Sequence, residues 1–173
     1  DAAVASEWTR LVEGAWEMPE PDEFYRCARV TVAEDTYIKA FRSVGPLGTH
    51  HTVVSAGPPA GPDGIFPCEA ADNNTTMIFG SGVGDIEFHF PEGVGVKIPA
   101  GQQIVLNLHR FNVSDGPLTG TTATEVQLAT AEEIEQEAES VLMGKVPGLT
   151  VVPGASEQGG TCTMVQDFTL LTI

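Results

Sequence analysis

Glycine and proline recur every few positions along these 173 residues, 19 of the one and 12 of the other. Both interrupt regular backbone structure, so the chain is expected to fold as many short strands joined by turns, with a β core. Hydrophobic residues make up 42% of the chain and charged residues 18%, enough apolar material for one well-buried domain or for a domain and a fragment.

The charge is lopsided, with 24 acidic residues against 8 basic ones and a formal net charge of -16. Such a surface repels phosphate backbones and anionic membranes, so neither nucleic acid nor a membrane is an expected partner. No apolar stretch approaches the roughly 20 residues needed to cross a bilayer, and Asp1 begins without a charged-then-apolar leader, which reads as a mature soluble protein. The turn-dense, acidic composition leans towards a secreted or periplasmic location. Hydrolase and nucleotide-binding signatures are missing, and Gly80-Ser81-Gly82-Val83-Gly84 reads as a hairpin or loop in a β context.

Strands are expected at Phe24 to Val32, Thr36 to Ser43, from His50 through Val54, Met77 to Gly80, Ile86 to Phe90 and Gln103 to Phe111. Ile104-Val105-Leu106 is apolar on both faces, which predicts a central strand with His109 emerging near its end. Two helices are expected. Val4, Trp8, Leu11, Val12 and Trp16 fall near helical spacing, and Thr130 to Met143 opens on a Thr130/Glu133 capping box and closes at Gly144. Glu125 to Leu128, Val146 to Pro153 and Thr161 to Ile173 read as further extended structure.

Cys27, Cys68 and Cys162 are far apart in sequence. If the protein is exported, Cys27 to Cys68 is the most economical disulfide, worth on the order of 4 kcal/mol in the chain-entropy model, and Cys162 is left over. Three reduced thiols in a cytosolic protein is the other reading.

The histidines carry the chemistry. His50 and His51 are adjacent, and His109 ends a distant strand. Neutral imidazole is a favoured ligand of copper, zinc, iron and nickel, and three of them leave a coordination position open. Neighbouring side chains of a regular strand point to opposite faces, so His50 and His51 share an ion only if the backbone is twisted or bulged there. Otherwise one is a ligand and the other a bystander. His89, between Phe88 and Phe90, reads as a solvated strand residue, with a supporting place near the site as the alternative.

With the adjacent histidines, the Pro91-Glu92-Gly93-Val94-Gly95 turn and the strand Val105-Leu106-Asn107-Leu108-His109 in this order, the chain resembles the copper type II, ascorbate-dependent monooxygenases. That family includes peptidylglycine α-hydroxylating and dopamine β-monooxygenases. The resemblance covers Phe24 to about Asn112. It implies an antiparallel β-sandwich, jelly-roll-like and mainly β with one or two short helices, with the N-terminal copper domain at 1–118 and an extension at 119–173 that resembles the start of a second sandwich. It further implies that His50, His51 and His109 hold one copper that stores and passes an electron, and that Cys27 and Cys68 form a disulfide. The implied partner is an electron donor, ascorbate or another small reductant.

The family's oxygen-activating His-x-His and Met site has no counterpart after His109, so the chain alone is not expected to hydroxylate a substrate. Cys162 and the apolar terminal strand favour a form lacking its second copper domain over a relative that keeps only the electron-transfer copper. The acidic surface gives anionic ascorbate no long-range attraction. From the residues alone, zinc is an alternative metal. Copper sequestration or delivery, and a metal-free β-sandwich interaction module, are alternative functions.

Overall fold

The computed structural model describes residues 7–70, 75–141, 150, 152–157, 159–161, 163–164 and 167–171. The strands are β1 (Trp8–Met18), β2 (Asp22–Thr31), β3 (Thr36–Val44), β4 (Thr49–Gly57), β5 (Gly64–Pro67) and β6 (Thr76–Ser81). They continue with β7 (Glu87–His89), β8 (Val94–Ile98), β9 (Gln103–Asn112), β10 (Leu118–Ala129) and the two-residue β11 (Gln136–Glu137). One sheet runs β1-β10-β3-β8-β11, with β7 also on β3, and the other runs β5-β2-β9-β4-β6. All described pairings are antiparallel except β8 with β11. The expected β-sandwich therefore forms, and β9 is central in its sheet.

The two sheets close over one core because alternate residues of each strand are apolar on the inner side. Val12, Ile38, Phe41, Val96, Ile98 and Val126 of the first sheet meet Ala28, Val54, Phe79, Ile104, Leu106 and Leu108 of the second. Phe41 stacks on Phe79 across the gap, ring centroids 5.1 Å apart.

On β9, Arg110 lies in phase with Leu106 and Leu108 and is 1% exposed. Its guanidinium sits 4.9 Å from the Phe24 ring and 5.6 Å from Trp16, and its Nε and Nη2 have no hydrogen-bond partner among the described residues. Burial, with some repulsion from Arg26, pushes its pKa down to about 10, which leaves it cationic at neutral pH.

Neither expected helix forms among the described residues. Trp8–Met18 is a strand that buries Val12, Gly14, Trp16 and Met18 on one face. The i, i+4 spacing of Val12 and Trp16 fits a strand as well as a helix, because four is a multiple of the strand period, while a register shift between Arg10 and Val12 turns Trp8 to the other face, against Arg42. Beyond Thr130 the capping box is made, Thr130 N–H donating to Glu133 at 2.7 Å, but only one 3-10 turn (Ala131–Glu133) follows. Glutamates at 133, 135, 137 and 139 would repel one another at i, i+4 in a helix. The backbone instead bonds to the β8 region, with Glu135 N–H to Gly93 O at 2.8 Å and Ala138 N–H to Gly95 O at 2.8 Å. Glycine is required at 95, where a Cβ would lie 2.6 Å from Ile38 O and 2.7 Å from Ile134 Cδ1.

The first compact unit is Asp1–Glu139, and it takes in β10, which pairs with both β1 and β3 and lies beyond the expected boundary at 118. The second is Ser140–Ile173, whose described residues carry no helix or strand. The expected strand at Thr161 to Ile173 is thus not formed by its described residues, including Phe168 to Leu171. Most of Val146 to Pro153, and Cys162, lie outside the described residues. No helix among the described residues is long and apolar enough to cross a membrane.

Candidate metal centre

The side of the β5-β2-β9-β4-β6 sheet facing away from the core carries a small buried cluster of its own. Val105 packs there with Cys27 and Cys68, flanked by Tyr25 and Phe66. Cys27 and Cys68 are disulfide-bonded, Cα atoms 5.8 Å apart. The bond ties the segment after β5 to β2, and Asn107 on β9 secures it by donating from Nδ2 to Glu69 O at 3.0 Å. Alternation along β9 then puts His109 on this same outer side, 5% exposed.

His51 stands opposite His109 in the β4–β9 ladder, while Thr49 stands opposite Arg110. Two steps along β4 match one along β9, so His50 is the extra residue of a β-bulge. That shift turns His50 to the side occupied by His51, which meets the condition set by the sequence. The three Nδ1 atoms form a nearly equilateral triangle: 3.0 Å between His50 and His51, 3.1 Å between His50 and His109, and 3.1 Å between His51 and His109. His50 is exposed, His51 half-buried and His109 buried.

Three mutually close nitrogens cannot satisfy one another. Each neutral imidazole presents either an N–H or a lone pair at Nδ1, so in any arrangement two of the three are alike and face each other unfavourably. His109 has its choice made for it. Its Nε2 lies 2.7 Å from Glu23 Oε1, a contact in which only a protonated Nε2 bonds well, so the Nδ1 lone pair points into the triangle. Burial, then the neighbouring His109 and His50, lower the pKa of His51 below its ordinary 6.5, keeping that ring neutral.

The donor set fits a metal ion. With these edges the centre of the triangle is about 1.8 Å from each nitrogen, close to the roughly 2.0–2.1 Å of a metal–imidazole bond. Small relaxation therefore accommodates an ion bound by all three lone pairs, which removes the conflict among them. A ligating histidine that donates its other nitrogen to a carboxylate is the usual supporting arrangement. Tyr25, the register partner of His109, holds that ring from the side, stacked at 4.5 Å and 8° between planes.

Glu23 and Tyr25 were not singled out by the sequence. Their signal is the i, i+2 spacing that puts both on one side of β2 with Cys27, but it becomes readable only once Cys27 is known to pair with Asn107. His89 is elsewhere, exposed on β7 in the other sheet, against Trp8 at 5.8 Å and Glu87 at 3.4 Å. Fold and site together define a disulfide-bonded β-sandwich with a three-histidine cluster able to hold a metal ion. No known family model matches the chain, and no curated protein does.

Proposed function

We propose that His50, His51 and His109 hold one copper ion, and that the protein is an exported electron-transfer copper protein of the kind found in the N-terminal domain of the monooxygenases it resembles. The observation that carries this reading is the convergence of three Nδ1 atoms within 3.0–3.1 Å, with Glu23 Oε1 2.7 Å from the other ring nitrogen of His109. Nitrogen donors of this type favour copper over the other divalent first-row ions, including zinc.

Bound copper supplies one-electron chemistry by cycling between its two oxidation states. The chain's own residues bind and orient. Glu23 keeps the His109 proton on Nε2, Tyr25 fixes the plane of its ring, and His50 presents the exposed edge of the cluster where a small electron donor arrives. The Cys27–Cys68 bond supports an oxidising compartment.

The test is copper titration of the apo-protein, followed by electron paramagnetic resonance. One equivalent is expected to bind with coupling to nitrogen nuclei, to fall silent on adding ascorbate and to reappear on reoxidation. His109→Ala is expected to lose at least about a hundredfold in affinity, roughly 2.7 kcal/mol. Equal copper retention in His109→Ala and wild type would remove the site. Tight binding that no reductant alters would favour sequestration or delivery.

A further inference from the structure

A cavity of about 640 Å³ opens between β1 and β10 of one sheet and β2 and β9 of the other. Trp16, Phe24, Arg26, Ile65, Arg110 and Thr121 are in its wall. It lies on the core side of β2 and β9, where Phe24 partners Arg110, whereas Tyr25 and His109 partner on the opposite side. The cavity and the histidine cluster are thus separated by the β2–β9 pair.

Arg110 is the unusual element. It is 99% removed from solvent, yet Nε and Nη2 bond to nothing, and no ion pair reaches it among the described residues. A buried charge of this kind normally has a counter-ion. The chain has carboxylates to spare, and Arg10, Lys39, Arg42 and Lys97 are all ion-paired. Arg26 has no ion pair among the described residues either, and it adds a second guanidinium of like charge to the same wall. The one acidic wall residue, Glu17, is exposed and bridges to neither arginine among the described residues. Trp16, Phe24 and Ile65 supply its apolar surface, and Thr119 and Thr121 its neutral polar one.

We propose that this cavity binds a small organic carboxylate with an apolar or aromatic body. Its carboxylate pairs with the exposed guanidinium of Arg26 and reaches that of Arg110 in the wall by a small side-chain shift that opens it, and its body lies against Trp16, Phe24 and Ile65. Planar guanidinium forks match a carboxylate in geometry as well as charge, and the volume is that of a small-molecule site.

The test titrates the protein with benzoate, with benzamide as its uncharged counterpart and inorganic phosphate as an anion without an apolar body. Nuclear magnetic resonance of the indole N–H groups reports on Trp16, and Trp8, stacked under Arg42, is the internal control. Benzoate is expected to shift the Trp16 signal saturably at one site, with benzamide and phosphate each at least about tenfold weaker. Arg26→Gln, at an exposed position, is expected to weaken benzoate about tenfold without changing the melting temperature. Arg110→Met is expected to abolish binding while leaving the fold at least as stable in anion-free buffer. Should that variant fail to fold, Arg26→Gln and the benzoate–benzamide pair decide alone. Equal binding of benzoate and benzamide, an unchanged Arg26→Gln, or no saturable response to about 10 mM benzoate overturns the proposal. Phosphate binding as tightly as benzoate overturns the organic class of ligand.

Discussion

His109 and Arg110 are consecutive on β9, 5% and 1% exposed, and they point to opposite sides of one sheet. On the outer side every group around His109 has been placed for it: Glu23 at Nε2, Tyr25 on its face, and two further imidazoles at Nδ1. On the inner side Arg110 meets the faces of Phe24 and Trp16, and two of its nitrogens have no hydrogen-bond partner among the described residues. Equal burial therefore does not mean equal satisfaction. The first residue stands in a cluster able to hold an ion, and the second is a charge with no ion-pair partner among the described residues.

Several substitutions sharpen or break that contrast. The largest effect is expected from removing the Cys27–Cys68 bond, which fastens the cover of the outer side alone. Cys27→Ala with Cys68→Ala is expected to cost about 2–5 kcal/mol in denaturant unfolding and to weaken copper binding as well. Unchanged copper affinity in a destabilised variant would mean that the cover does not position His109.

Next comes Glu23→Gln, which keeps the shape and removes the charge that fixes the His109 tautomer. Copper affinity is expected to fall about 10–100-fold, or roughly 1.4–2.7 kcal/mol, by competition with a chelator. Arg110→Met, one residue away from the ligand but on the other side of the sheet, is expected to leave copper affinity close to wild type. If the two variants behaved alike, the two sides of β9 would not be independent.

The smallest effect concerns pH. His51 is held neutral below its ordinary value of 6.5 by burial and by its two neighbours. The unfolded chain therefore takes up that proton first as pH falls. Apo-protein stability attributable to His51 is full above about 6.5 and is lost as pH drops towards and through the lowered folded value. Protons compete with the metal for the same nitrogens, so copper affinity falls over the same range. Chemical denaturation at a series of pH values, in wild type and His51→Gln, measures this. A stability slope below pH 6.5 that is identical in both would contradict it.

Much of the site was legible because its residues are rare and its geometry local. With four histidines in the chain, an adjacent pair and one strand-ending residue are conspicuous, and the pleat itself dictates that only a bulge lets His50 join His51. Arg110 carried a weaker signal, a charge in phase with Leu106 and Leu108. Glu23 carried almost none, because its role follows from strand pairing across a separation of 86 residues. The β core was legible from its breakers and alternation, and the sandwich was what the resemblance implied. The helices were misread where local preference lost to pairing. A spacing of four serves both periods at Val12 and Trp16, a register shift in β1 puts Trp8 on the opposite face, and the capping box at Thr130 started a turn that β8 then captured in an extended course.

The central claim is that one ion is bound by all three imidazoles through Nδ1. Anomalous diffraction from crystals of the copper-loaded protein, collected on both sides of the copper edge, tests it directly. The expected result is a single strong peak about 2.0–2.1 Å from Nδ1 of His50, His51 and His109 together. A peak held by His50 and His51 alone, with His109 still bonded only to Glu23, would contradict it.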